Sequence, residues 1–368
     1  MAGRNFFFAG GGTGGHIYPA IAVAEKIAAL DRSAGIHFFC SGRDVDRQIL
    51  AKTGFAYTAL PARGFLIRPG RFIAFFKSFL ANYRIASEAI AGVERPVVVG
   101  IGGFVAAPVC WAAHRLKAPL VLLNVDIVPG KANRVIARWA ERIFVQFEET
   151  ADYMGKRKSK ATVVGCPLRS TFDNPEQEKA RAELALDRNK RILLITGASS
   201  GSQNINRTIC ELLPQLNDFA DNWQMVHLTG RANFDEVVRR YGDAKIAHKV
   251  IDYYDDMANL LAAADLVIGR SGAVSVAEYA AAGVPSICMP YPYHKDMHQY
   301  LNAGKLVEAG AAIIVDDVPD EKDRREWLWE ELEPLLKDEK KRREMRTACR
   351  TIARKDAAKK IAESLLAI

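Results

Sequence analysis

The 368 residues predict an α/β protein built from two Rossmann-like, doubly wound domains. Short apolar runs alternate with helical stretches along the chain, and a turn rich in glycine or small residues follows the first strand of each half. A polar, charged span from Ser170 to Lys190 reads as the connection between the halves. Two such domains are expected to face each other across a cleft lined by the carboxyl ends of both sheets.

The first strand, Arg4 to Ala9, runs into Gly10-Gly11-Gly12-Thr13-Gly14-Gly15-His16 and then an amphipathic helix, IYPAIAVAEKIAAL. Glycines at such a junction admit a ligand to the backbone, and the helix start favours an anion. Gly10, Gly12 and Gly15 satisfy G-x-G-x-x-G, but the next strand, IHFFC, ends in Ser41-Gly42-Arg43, without the acidic residue of a dinucleotide site. No G-K-[ST] follows either, so this is not a Walker loop. His16 is a candidate general base because imidazole titrates near neutrality; a capping or packing role is the ordinary alternative.

On a helix starting near Arg71, the residues Phe72, Phe75, Phe76, Phe79, Leu80 and Tyr83 share one face, interleaved with Arg68, Arg71, Lys77 and Arg84. Such a face either packs on a sheet or meets an anionic membrane surface. Phe72 and Phe79 are expected in the core, and Phe65, Leu66, Ile67, Arg68 and Arg71 at the lipid. Pro96 to Gly100 is a buried strand, and Ile101-Gly102-Gly103-Phe104 turns into a helix carrying Trp111. Strands at Leu120 to Asn124, Arg142 to Gln146 and Thr162 to Gly165 close the first half.

The second half begins with the strand Arg191 to Thr196, a small-residue turn, Gly197 to Ser202, and a helix over Gln203 to Leu216. Strands follow at Gln224 to Leu228, His248 to Ile251 and Ala264 to Ile268; then come the turn Gly269 to Gly272, a helix Ala273 to Ala282 and a strand Ser286 to Met289. Between Ser271 and Tyr293 the only charged side chain is Glu278. Buried among such neighbours, an unpaired carboxylate would cost several kcal/mol, roughly, so it needs hydrogen-bonding partners. A sugar diol at Glu278 with phosphate at the preceding turn is one reading; a carboxylate turned to solvent is the other. The tail from Asp320 mixes acidic and basic residues, which suits a solvated helical face better than a nucleic-acid arm.

Composition bounds the class. A chain of this length suits two domains, and 49% hydrophobic residues with Gly 27 and Pro 15 describe an ordinary globular protein. Six scattered cysteines without a C-x-x-C pair fit buried thiols in a reducing cytoplasm, not a disulfide framework or a zinc site. No signal peptide precedes the first strand, and no apolar run approaches the roughly 18 residues of a spanning helix. The net charge of +8 permits anionic lipid, a nucleotide or nucleic acid as partner, and only the placement of the charges chooses among them.

Gly11 to His16 with Pro19 and Ala20, Gly102-Gly103-Phe104, Gly165-Cys166-Pro167-Leu168-Arg169, Arg270 to Ala273 through Glu278 to Gly283, and His294-Lys295-Asp296 with Gln299 and Asn302 together resemble the MurG family, in the same order over nearly the full chain. The resemblance implies an inverting glycosyltransferase of GT-B architecture, peripheral on the cytoplasmic face of the cell membrane. It would move N-acetylglucosamine from its UDP donor to undecaprenyl-linked muramyl-pentapeptide (lipid I), giving lipid II. Residues 1–168 would form the acceptor domain, joined by a returning helix near 352–368, and residues 169–351 the donor domain. It further implies His16 as base deprotonating the acceptor 4-hydroxyl, with Gly12, Gly102, Gly103, Phe104, Asn124 and Asp126 toward the acceptor. Thr13, Gly14, Gly15, Arg169, Ser199, Tyr254, Arg270, Ser271, Gly272, Ala273, Glu278, His298 and Gln299 would surround the donor, with Glu278 on the ribose. No tightly bound cofactor, essential metal or nucleic-acid partner is implied. The chain departs from the family pattern at Leu123-Asn124-Val125-Asp126, where His-Glu-Gln-Asn is usual, at Gly-Ala-Ser-Ser-Gly in the second turn, and at His298, which replaces a glutamine. Another lipid or glycan acceptor, or a non-catalytic nucleotide-sugar binder, is the alternative those departures leave.

Overall fold

The computed structural model describes residues 3–12, 14–61, 69–174, 176–198 and 201–368. It divides into two units, Met1–Ser170 with Lys355–Ile368, and Thr171–Arg354.

The apolar runs of the first unit form β1 (Asn5–Gly10), β2 (Gly35–Ser41), β3 (Ala56–Leu60), β4 (Pro96–Gly102), β5 (Leu120–Asn124), β6 (Arg142–Val145) and β7 (Ala161–Val163). They make one parallel sheet in the order β3-β2-β1-β4-β5-β6-β7. Helices cover both faces, so the central strands are buried throughout: Phe6 and Phe8 of β1 and Val98 and Val99 of β4 are fully enclosed. The order runs outward in opposite directions from β1 and β4. At such a switch point the loops leaving the carboxyl ends part and leave room for a ligand. The loops there are those after Gly10 and after Gly102, and the β1–β4 register shifts between Ala9 and Gly10 so that Gly10 pairs with Gly102.

The second unit repeats the plan. Strands β8 (Arg191–Thr196), β9 (Trp223–Leu228), β10 (Ala247–Ile251), β11 (Leu266–Gly269), β12 (Ser286–Cys288) and β13 (Ala312–Ile314) lie parallel in the order β10-β9-β8-β11-β12-β13. The switch falls between β8 and β11, which brings the turns after Thr196 and Gly269 to one end of the sheet.

Several expectations change. Strands β3 and β13, both at sheet edges, were not anticipated. The span 170–190 is not all connection: a helix, Gln177–Glu183, belongs to the second unit, where buried Arg181 meets Asp265 at 2.6 Å. The expected helix over 203–216 is two, Gln203–Glu211 and Leu213–Leu216, with Pro214 at the start of the second. The charged tail is only partly a solvated face. Leu328, Leu332 and Leu335 of the helix Glu321–Lys337 are fully buried in the second unit. The last helix, Ala357–Leu366, packs on α1 (Gly14–Leu30) of the first, and Arg142 Nη1 donates to Ser364 Oγ at 2.7 Å.

Helix α2 (Asp44–Ala51) follows β2, and α3 (Pro69–Ala91) carries the aromatic run. The single apolar face expected of α3 is divided. Phe79 and Tyr83 each stand 5.5 Å from the ring of Trp111 on α4 (Gly103–Arg115), whereas Ile73, Phe76 and Leu80 are 58%, 52% and 38% exposed. Among the described residues no helix is long and apolar enough to cross a membrane. All six cysteines are free and buried.

Candidate active site

The glycine loop of the first unit is shaped by a carboxylate. Asp46, fully buried in the first turn of α2, accepts from the Gly12 N–H at 2.8 Å, the Ser41 N–H at 3.1 Å and the Ser41 hydroxyl at 2.5 Å. Arg43 Nη1 donates to the Gly12 carbonyl at 2.7 Å, so side chains hold Gly12 at both its N–H and its carbonyl. The second glycine turn lies directly against it. Gly103 has φ +80, and a Cβ there would stand 2.6 Å from the Gly11 carbonyl oxygen. Only glycine permits both that backbone and that approach.

His16 projects from the first turn of α1 and is partly buried. A Cβ on Gly102, at φ +135, would sit 3.2 Å from His16 Nε2 and from Asn133 Oδ1, so the imidazole edge and the amide both face the bare Cα of Gly102. Asn133 is tied in turn: Nδ2 donates to the Ile101 carbonyl at 3.2 Å and to Asn124 Oδ1 at 2.8 Å. Asn124 Nδ2 donates to the Asp126 carbonyl at 2.6 Å. The buried Asn124 amide thus braces the loop after β5, and half-buried Asp126 contributes its backbone. Phe104, opening α4, is 55% exposed. Arg169 stacks over the Tyr18 ring at 4.5 Å within this first unit.

In the second unit Arg270 leaves β11 with its guanidinium buried. It donates to Asp317 Oδ2 at 2.6 Å, Ser202 Oγ at 2.7 Å and the Met289 and Pro290 carbonyls at 2.8 and 3.2 Å. Asn204 and Arg324 complete the surroundings of Asp317. Arg270 therefore ties together the ends of β8, β11 and β12. Ser202 also caps the helix Gln203–Glu211 through the Ile205 N–H. The helix Ala273–Ala282 begins after Gly272, a cap position that offers no side-chain cap. The Ser271 hydroxyl is buried and meets no partner among the described residues.

Glu278 sits two turns into that helix at 9% exposure, which removes the solvent-directed reading. Tyr279 beside it donates from Oη to the Arg270 carbonyl at 3.0 Å, and burial pushes its phenol well above the usual range. Gln299 Oε1 accepts from the Tyr291 N–H at 2.9 Å, and Tyr291 in turn lies under Arg270, 5.6 Å from the guanidinium. Tyr254 is half-buried, 3.5 Å from Asn259 Nδ2. His298 Nδ1 pairs with Asp296 Oδ1 at 2.7 Å. Burial works to raise the Asp296 carboxyl, and the hydrogen bond and charge of His298 outweigh it, holding it below the usual carboxylate range.

Each unit thus carries a switch-point site of its own. Residues 6–145 match the glycosyltransferase family 28 N-terminal domain and residues 192–363 the glycosyltransferase family 28 C-terminal domain. The chain belongs to glycosyltransferase family 28. It is 32% identical to a UDP-N-acetylglucosamine--N-acetylmuramyl-(pentapeptide) pyrophosphoryl-undecaprenol N-acetylglucosamine transferase of Acetivibrio thermocellus, over 96% of this chain and 95% of that one. A protein of the same name from Geobacter sulfurreducens is also 32% identical, over 98% and 97% of the two chains. Among solved structures, MurG of Acinetobacter baumannii shares the GT-B fold with a TM-score of 0.73 at 22% identity, covering 99% of this chain and 100% of that one.

Within this family 28 chain, the structure gathers Gly12, Gly14, Gly15, His16, Gly102 and Gly103 at one sheet end, and Arg270, Ser271, Gly272, Ala273, Glu278 and Gln299 at the other unit's corresponding end. Arg169 belongs to the first unit, where it lies over Tyr18. Thr13, Ser199, Phe65, Leu66, Ile67 and Arg68 lie outside the described residues, and Arg71 stands in the first turn of α3 by its backbone. Sequence reasoning gave no role to Asp46, Asn133 or Asp317. The acidic first turn of α2, opening just past β2, was a usable signal for Asp46; nothing local marks Asp317 as the partner of Arg270.

Proposed function

We propose that this family 28 protein transfers N-acetylglucosamine from UDP-N-acetylglucosamine to the 4-hydroxyl of undecaprenyl-diphospho-muramylpentapeptide, with inversion, giving lipid II for peptidoglycan. The observation that carries the reading is the near-full-length similarity to transferases whose names specify that donor and acceptor. The geometry supports a division of labour between the units.

In the first unit, His16 accepts the proton of the acceptor hydroxyl as its oxygen bonds to the anomeric carbon. The bond from that carbon to the UDP oxygen breaks with its electron pair, and UDP leaves. The loops at Gly12 to Gly15 and Gly102 to Phe104 hold the acceptor diphosphate, with Asn124 and Asp126 bordering it; the rigid fit of Gly103 on Gly11 supports this preorganised role. In the second unit, the positive end of the helix that starts at Gly272 and Ala273 receives the donor phosphates, whose charge rises as UDP departs. Ser271 adds a hydroxyl there, and the family resemblance also assigns Ser199 and Thr13 to the donor. Glu278 accepts from the ribose hydroxyls, the Tyr254 backbone faces uracil, and His298 and Gln299 address the sugar. Arg270 acts through position, holding the turn on Asp317; the family resemblance also assigns Arg169 to the donor.

The exposed stripe Ile73, Phe76 and Leu80 on α3, with exposed Lys77 and Arg84 beside it, supports peripheral attachment to an anionic membrane surface. The segment from Phe65 to Arg71 continues that contact. Residence on the cytoplasmic face fits six free, buried cysteines. No tightly bound cofactor and no nucleic acid enter this scheme.

A second acceptor, another polyprenyl-linked or free glycan, is favoured by one observation: the Asn124 amide is consumed inside the β5 loop by Asn133 and Asp126, where the resemblance expects a longer acidic side chain. Product analysis separates the two. Purified protein, UDP-N-acetylglucosamine and a short-chain lipid I analogue should yield the analogue heavier by one N-acetylhexosamine residue in the mass spectrum. An unmodified analogue alongside a glycosylated alternative acceptor would overturn the lipid I assignment.

A further inference from the structure

The segment between β12 and the helix His298–Glu308 reads Tyr291-Pro292-Tyr293-His294-Lys295-Asp296-Met297-His298. It folds back on itself through Met297, whose backbone is left-handed (φ +48, ψ +26) and whose N–H donates to the His294 carbonyl at 3.0 Å. That conformation costs a non-glycine residue about 1–2 kcal/mol and needs compensation nearby. Its effect is to return His298 onto His294 and Asp296. The two imidazole centroids stand 4.4 Å apart, His298 Nδ1 meets Asp296 Oδ1 at 2.7 Å, and donor atoms of all three residues lie within 4.8 Å of one another. Among the described residues this is the one cluster of three such groups with that spacing.

We propose that His294, Asp296 and His298 form a binding site for a divalent transition-metal ion of the zinc class. Two imidazoles and one carboxylate are the donors that zinc, cobalt and nickel accept, whereas calcium and magnesium seek oxygen shells. Bonds of about 2.1 Å around a tetrahedral ion put ligand atoms roughly 3.5 Å apart, and the observed ligand atoms, all within 4.8 Å of one another, are near that spacing. Three protein ligands leave a coordination position open to water or an anionic group. No cysteine competes, since all six are buried. His298, the residue that departs from the family's glutamine, supplies the third ligand; replacing it with glutamine leaves an incomplete pair. Lys295 and Met297 point the loop outward without joining the donor set.

The site is tested without donor or acceptor, so its outcome is independent of the transferase reading. Untagged, full-length protein is stripped with chelator and titrated with Zn²⁺ against a chromophoric competitor; Co²⁺ then reports ligand geometry through its visible absorption. The wild type should bind a single Zn²⁺ with micromolar or tighter affinity and show a tetrahedral or five-coordinate Co²⁺ spectrum. His298→Gln and His294→Gln should each weaken binding by at least about tenfold, the scale on which even groups that only hydrogen-bond a metal ligand change affinity. Metal-free urea unfolding midpoints equal to wild type show that the variants fold. Zn²⁺ affinity unchanged in His298→Gln, or no binding by folded wild type, would overturn the site.

Discussion

The Arg270 guanidinium and the Asp317 carboxylate meet at 2.6 Å with side-chain exposures of 9% and 1%. This pair joins the loop after β11 to the segment after β13 and holds the turn that opens the helix Ala273–Ala282. Removing one partner of a buried pair leaves an uncompensated charge. Asp317→Asn is therefore expected to lower stability by about 3–5 kcal/mol in urea unfolding. A loss under about 1 kcal/mol, the scale of an exposed pair, would show that the pair is solvated in solution.

Glu278 is buried on the helix Ala273–Ala282, whose N-terminus is the proposed seat of the donor phosphates. Glu278→Ala should weaken UDP binding by about 1.5–3 kcal/mol, the worth of hydrogen bonds to a charged group, or roughly ten- to hundredfold in Kd. Calorimetric titration with UDP measures it directly. An unchanged Kd in a folded variant would remove Glu278 from the donor site.

His227 lies fully buried between Tyr241 Oη, 2.9 Å from Nδ1, and Asn206 Oδ1, 3.0 Å from Nε2. Burial pushes its pKa down to about 3, so the fold holds a neutral imidazole while the unfolded chain takes up a proton near the ordinary value of about 6.5. The stability this supplies is complete above about 6.5 and is lost as pH falls toward 3, at up to about 1.4 kcal/mol per unit. Urea midpoints measured from pH 7 to pH 5 should fall in the wild type and fall less steeply in His227→Phe. Parallel slopes would place the proton uptake elsewhere.

The thiols make a separate test of packing. Burial pushes Cys40 to about 11 and Cys288 and Cys349 to about 12. The native protein at pH 8 is expected to leave its six cysteines unreacted with Ellman's reagent over minutes, and to expose all of them in denaturant. Fast reaction of a native thiol would mark a locally open segment.

Much of this was legible in the sequence, for physical reasons. Strands buried on both faces are unbroken apolar runs, so β1, β5 and β8 announced themselves, and the glycines after β1 and β4 marked close backbone approach. Edge strands are different: β3 is exposed or half-buried at every residue but Leu60, and β13 has three residues, so neither carries a strong period. Glu278 stood out because its neighbours are apolar. Asp317 did not, because its meaning comes from Arg270, 47 positions away. The divided face of α3 was hidden for a related reason, since only the position of Trp111 on α4 decides which of its aromatics are covered.

The central claim is that His16, set against Gly102, serves as the base in sugar transfer. The most direct measurement is UDP release from UDP-N-acetylglucosamine with and without a short-chain lipid I analogue, in wild type and in His16→Ala, with UDP affinity determined for both. The account predicts release that depends on the analogue, falls by about 10²–10⁴-fold in the variant, and leaves UDP affinity unchanged. Release in His16→Ala at the wild-type rate would contradict it.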